Sequence, residues 1–194
     1  MTEAGHRTAE AGVSGAGLST RLPRDPESFT EVHDRYFALI FRYVAARLGA
    51  QAAEDVASET FLVAFDRRST FDPERGDLRV WLFGIATNLV ARHRRQEARR
   101  YRALGRIAPA PDAEGHESRV VASVAARRLA PELALALSRL SPGERDVLLL
   151  VAIGQLGYEE VASALSISSG TVGSRLSRAR KKLNTTLSPE VHDE

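Results

Sequence analysis

Apolar residues in this chain recur at three- and four-residue spacing and nowhere alternate one for one over the length of a strand. Whatever folds must therefore fold as helix packed on helix. From Phe29 the series Val32, Tyr36, Phe37, Ile40, Phe41, Val44 and Leu48 predicts one amphipathic helix, with Gly49 as its C-terminal breaker. Val56, Phe61, Leu62 and Phe65 predict a second from about Ala52 to Arg67, with Glu54 and Asp55 in the first turn, where the helix dipole favours acids. Pro73 and Gly76 make Phe71 to Asp77 a loop, and a third helix begins near Leu78 and runs through Trp81, Leu82, Ile85, Leu89 and Val90 to Arg100.

The periodicity then stops. Residues 102–129 hold Gly105, Pro109, Pro111 and Gly115 with little large apolar content, the composition of a flexible linker. Beyond it Leu133, Leu137 and Leu140 precede Ser141-Pro142-Gly143-Glu144, a capping box with proline at the first helical position. The helix it starts, Pro142 to Ile153, is aliphatic from Val147 to Val151 and central to a second core. The 194 residues thus divide into an unstructured tail over 1–27, a helical domain over 28–101, the linker over 102–129, a second helical domain over 130–187 and a short tail over 188–194. The fold class is all-α: two small helical domains joined by a flexible linker.

Charge matters here by distribution, since the formal net charge is only +2. All but Lys181 and Lys182 of the 27 basic residues are arginine, whose planar fork suits phosphate and guanine. Tyr158 to Leu165 reads as a short helix, Ser166 to Ser168 as a tight turn, and Ser169 to Leu183 as a second helix with Val172, Leu176, Ala179 and Leu183 inward, the helix-turn-helix plan. No acidic residue lies between Val161 and Pro189, while Arg175, Arg178, Arg180, Lys181 and Lys182 all fall on that second helix. Such a helix can approach a phosphate backbone without repulsion. By role, Ser169, Thr171, Ser174 and Arg175 fall to base edges or nearby phosphates, and Arg178 and Lys182 to phosphates.

A second basic cluster, seven arginines and His93 against the single acid Glu97, spans Arg92 to Arg106. Like charges at that density oppose a helix unless an anion pairs with them. Trp81, Phe83 and Asn88 precede it on the same element, and aromatic, amide and guanidinium groups together suit single-stranded or opened DNA.

These segments carry a family resemblance. Glu54 to Leu62, Phe71 to Leu89 and Leu140 to Lys182 resemble, in that order, parts of regions two and four of the sigma-70 family, in its short extracytoplasmic-function group. The resemblance implies an alternative sigma factor that binds core RNA polymerase and promoter DNA. It implies that Asp55, Ser58 and Glu59 meet the polymerase clamp, with serine at 58 where relatives often have glutamine. It implies that the loop from Asp72 through Arg75 and Asp77, with Trp81 and Asn88, handles a flipped base of the minus-ten strand, and that Arg92, Arg94 and Arg95 hold the adjacent backbone. The helix from Ser169 would read the minus-thirty-five element, with Gly173 where relatives commonly carry a basic residue. An anti-sigma partner is implied as well.

Other classes find no support. Cysteine is absent, His6, His33, His93, His116 and His192 are scattered, and no phosphate loop or nucleophile elbow occurs. The expectation is a cytoplasmic protein that is not an enzyme, with no catalytic residues, metal, cofactor, small-molecule substrate or membrane insertion. A plain repressor would use the helix-turn-helix but leave the Arg92 to Arg106 cluster and the Asp55 face without a role.

Overall fold

The computed structural model describes residues 15–22, 25–103 and 132–187. Seven helices with defined bounds are present among them: α1 (Gly15–Arg21), α2 (Ser28–Leu48), α3 (Ala50–Asp66), α4 (Leu78–Ala103), α5 (Pro142–Ala152), α6 (Tyr158–Leu165) and α7 (Ser169–Leu187). A 3-10 turn over Arg68–Thr70 follows α3, and residues 132–138 are also helical. The described residues contain no strand.

The first module is α2, α3 and α4 packed on one another. Gly49 lets α2 and α3 meet in a corner, because its φ of 82° lies where a side chain would be strained. Its core is Val32, Ile40, Val44, Val56, Phe61, Leu78, Leu82 and Val90, all buried. The apolar positions read from sequence account for much of this core, with corrections. Tyr43 and Phe83 are fully buried, so Phe83 is core and does not stand with Trp81 and Asn88 on a surface open to DNA. Leu62 and Phe65, assigned to α3 as apolar positions, are exposed, Leu62 at 66%. Ala53, Ala57 and Ala64 are buried in their place, small enough to bring α3 close to its neighbours.

The N-terminal segment departs from expectation too. Residues 1–27 read as an unstructured tail, yet Gly15–Arg21 is helical and packs on α2. Leu18 and Leu22, four apart and therefore on one helical face, are buried, and Arg21 pairs with Glu31 at 2.8 Å. Two leucines at that spacing suffice to dock one turn against an apolar surface already present. The linker assigned to 102–129 begins on α4 at residues 102 and 103 and otherwise lies outside the described residues, as does the tail over 188–194.

The second module is α5, α6 and α7 around Val147, Leu150, Val161, Val172 and Leu176. The capping box at Ser141 is present: Ser141 Oγ accepts from the Glu144 amide at 3.4 Å, and the Ser141 amide donates to Glu144 Oε2 at 2.9 Å. The two modules lie against each other. Buried residues of both form one continuous apolar cluster, with α4 crossing α6 so closely that a methyl on Gly84 would sit 3.2 Å from the Ala164 carbonyl oxygen.

Candidate nucleic-acid interface

On the second module α7 is the presented helix. Val172, Leu176 and Ala179 are buried, which turns Thr171, Ser174, Arg175, Arg178 and Lys182 to the opposite side at three- and four-residue spacing. Ser168 caps α7: its Oγ accepts from the Thr171 amide at 3.2 Å and lies 2.9 Å from Thr171 Oγ1. Sequence reasoning placed Ser168 in the turn without giving it this role, although serine just before an apolar-periodic run is the ordinary signal. Ser166 closes α6 in the left-handed region, with φ 52° and ψ 46°, and so sets the angle between the two helices. Ser169 donates to Glu159 Oε2 at 2.7 Å, and Ser174 to the Thr171 carbonyl at 3.1 Å. Arg175 lies along Gly143, where an added methyl would come within 2.9 Å of its guanidinium. Lys182 donates to Glu144 Oε2 at 2.7 Å, and Arg178 Nε lies 3.6 Å from Glu144 Oε1, so both cations anchor α7 to α5 while their side chains stay about half exposed.

On the first module the loop before α4 is organised by its own carboxylates. Asp72 accepts from the Glu74 amide at 3.0 Å, and Asp77 from the Arg79 amide at 2.7 Å, capping α4. Asp72, Arg75 and Asp77 are all exposed. Trp81 is half-buried, its ring 5.1 Å from that of Phe71, so it is both part of the packing and part of the surface. Asn88, Arg92 and Arg95 are exposed and follow Trp81 at spacings of seven, four and three, a single face of α4. Arg92 hydrogen-bonds Glu59 of α3, which draws one cation predicted for DNA and one acid predicted for polymerase into a pair. Arg94 leaves the shared face altogether. It donates to the Arg47 carbonyl at 2.5 Å, on the side of α4 turned to the second module, and burial lowers its pKa from the ordinary value.

The residues expected to meet polymerase lie on α3. Asp55 and Ser58 are exposed, Glu59 is half-buried, and Leu62 extends the same face by one turn as a large exposed apolar group. The sequence pattern hid Leu62, because an apolar residue at that register reads as core.

Among the described residues no cluster of His, Asp or Glu suits a metal ion, and no helix is long and apolar enough to cross a membrane. What the surface does offer is a helix-turn-helix whose basic face is partly paired with Glu144 yet still half exposed, beside a helix on which an indole, an amide and guanidinium groups share one side. The molecule is of the class that binds nucleic acid with two helical modules.

Residues 29–100 match the family described as Sigma-70 region 2, and residues 131–183 that described as Sigma-70, region 4. The chain belongs to the sigma-70 family, within its extracytoplasmic-function (ECF) group of alternative sigma factors, which bind core RNA polymerase and direct promoter-specific initiation. It is 30% identical over 185 residues to the ECF RNA polymerase sigma factor BldN of Streptomyces coelicolor, covering 92% of this chain and 69% of that one. To the ECF RNA polymerase sigma factor SigE of Mycolicibacterium smegmatis it is 31% identical over 188 residues, covering 93% and 68%. Among solved structures it is similar to CnrH, determined in complex with the cytosolic domain of CnrY, with a TM-score of 0.66 and 25% identity over 91% of this chain and 98% of that one. The sigma factor RpoE of Bartonella quintana, solved with the anti-sigma factor NepR, shares the fold, with a TM-score of 0.71 at 22% identity over 84% and 99%.

Proposed function

We propose that this chain docks on the polymerase clamp through the α3 face of Asp55, Ser58, Glu59 and Leu62, reads the minus-thirty-five element with α7, and holds the opened minus-ten strand against α4 and its preceding loop. The observation that carries the reading is the pair of exposed faces, α7 and the Trp81 to Arg95 side of α4, each backed by a buried apolar stripe. Ser169, Thr171, Ser174 and Arg175 face base edges and nearby phosphates, while Arg178 and Lys182 meet the flanking backbone. The loop of Asp72, Arg75 and Asp77, with Trp81 and Asn88 beside it, receives a base extruded from the minus-ten strand, and Arg92 and Arg95 hold the phosphates next to it. Extrusion costs a few kcal/mol, which stacking and hydrogen bonds in the pocket must offset.

The chain supplies specificity and strand opening, and the polymerase supplies the catalysis, so it works in the cytoplasm without a cofactor. A second protein, an anti-sigma regulator, holds it off the polymerase; the similarity to CnrH, solved with a partner protein bound, supports this.

Run-off transcription by core polymerase on a genomic promoter library, with and without the chain, tests the reading. New start sites sharing two upstream elements are the expected result. Duplex binding without new transcripts would instead mark an ordinary regulator.

A further inference from the structure

Where α2 ends against α4 and α5, three arginines gather around one carboxylate. Arg47, in the last turn of α2, and Arg145, the residue after Glu144 in α5, are only 4% and 8% exposed. Arg94 of α4 is half-buried beside them and donates to the Arg47 carbonyl at 2.5 Å, a bond within its own module. The carboxylate is that of Asp146, whose Oδ1 lies 2.7 Å from Arg47 Nε. The Tyr43 hydroxyl is 3.4 Å from the same oxygen but nearer to Thr87 Oγ1, at 2.8 Å, and burial raises its pKa, so it adds no charge. Glu97 also acts on Arg94, from an exposed position where it lies 3.6 Å from His93.

The imbalance is one that these side chains cannot shed. A buried lysine or histidine gives up its proton when its charge goes uncompensated, whereas a guanidinium keeps its own across the physiological range. Burial, with Arg47 and Arg94 nearby, pushes Arg145 down to about 10, which still leaves it a cation at neutral pH, and burial likewise lowers Arg94. Arg47 Nη1 and Arg145 Nε are moreover buried with no hydrogen-bond partner among the described residues. A donor on a charged group that is buried and unmet is among the more costly defects a fold can carry.

The geometry also selects the kind of anion that would answer these donors. The three forks come from three helices and do not lie in one plane, so a tetrahedral oxyanion can accept from all of them, whereas a planar carboxylate serves two at most. A diester inside a nucleic-acid strand is too bulky to reach side chains as deeply covered as Arg47 and Arg145. A small ion can enter past Arg94.

We propose that Arg47, Arg94 and Arg145 form a binding site for a small phosphate-class oxyanion, either free phosphate or the terminal phosphate of a nucleotide, at the seam of the two modules. The site gives Arg94 a ligand other than the DNA backbone, and it does not depend on how α4 meets a promoter. Asp146 shares the cations with the bound ion and repels it, and so limits its affinity.

The test uses the full chain, with sodium phosphate titrated against sodium chloride at constant ionic strength, read by calorimetry and by the thermal midpoint. One ion per chain is expected, with a dissociation constant of about 1 mM or tighter, and a midpoint that rises with phosphate concentration beyond the chloride control. Arg145→Gln, which removes excess buried charge and is expected to stay folded, should weaken phosphate binding about tenfold or more. Asp146→Asn should do the reverse: less stable than the parent in chloride, it should bind phosphate several-fold more tightly and recover more of its midpoint. Arg175→Glu, on the exposed face of α7, should leave phosphate binding unchanged. A parallel titration with adenosine monophosphate separates the two sources: binding by phosphate alone assigns the free ion, and equal or tighter binding by the nucleotide assigns the monoester.

The proposal is overturned if neither phosphate nor the nucleotide binds beyond the chloride control, or if Arg145→Gln keeps the parent's affinity. Binding lost in Arg175→Glu would place the ion on α7 instead. Weaker binding by Asp146→Asn of intact helix content would contradict the competition between carboxylate and ion on which the site is built.

Discussion

Glu144 completes the capping box of α5 and also receives Lys182 and Arg178 from α7, so one buried carboxylate starts one helix and fastens another. The hydrogen bond from Lys182 is the main cause that holds its pKa below the ordinary 4.5. A depressed carboxyl pKa contributes stability that is present above the unfolded value and is lost as pH falls through the folded one. Thermal midpoints are therefore expected to drop on acidification below about 4.5, and Glu144→Gln, already less stable at neutral pH, should flatten that dependence; equal slopes for both proteins would refute the assignment. Gly173 offers the opposite case. No atom stands within 4 Å of an added Cβ there, so Gly173→Arg meets no obstacle. It should raise helix stability by about 1 kcal/mol and steepen the salt dependence of duplex binding by about one phosphate contact, read from melts and from affinity against salt concentration. Arg175→Glu should abolish promoter-dependent transcripts while leaving polymerase binding intact, as seen by run-off and by co-sedimentation with core enzyme. These basic residues were legible in the sequence as a charged helical face. Their second role, on Glu144, was not, because it depends on where α5 comes to lie.

The helices themselves were legible wherever local chemistry agreed with periodicity. Gly49 ends α2, Ser141 and Glu144 start α5, and the interval from Leu165 to Ser169 turns the chain between α6 and α7. Legibility failed where packing decides. Two leucines dock α1 on a surface that the sequence does not announce, and Leu62 stays out of a core already filled by alanines. If that exposed leucine is an adhesive patch for the clamp, Leu62→Asp should leave the thermal midpoint nearly unchanged while weakening association with core polymerase about tenfold or more, about 1.4 kcal/mol or above. A stability loss typical of core leucines would show that the side chain is buried in solution. Ser166 is another element-scale feature. A left-handed backbone costs a non-glycine residue roughly 1–2 kcal/mol, partly offset in glycine by about 0.5–1 kcal/mol of chain entropy. Ser166→Gly is expected to stabilise the second module slightly in denaturant titration.

At the scale of the whole molecule, the division into two helical modules follows from the break in periodicity after Arg100, but nothing in that pattern says that the modules rest on each other. The residues that join them look ordinary in sequence: Arg47 reads as the last turn of an amphipathic helix, Asp146 as one more polar position, and Gly84 as a mild helix weakener. Only their meeting gives them meaning. The seam also has a bearing on how long such a molecule lasts. Phe83 and Tyr43, packed edge to face at 5.3 Å, are fully buried in the closed chain. A separated molecule with no polymerase to shelter it loses the second module's cover beside them, the kind of surface that proteases and chaperones survey. Limited proteolysis of the free chain is therefore expected to slow when core polymerase is added, and equal cutting rates would refute that protection.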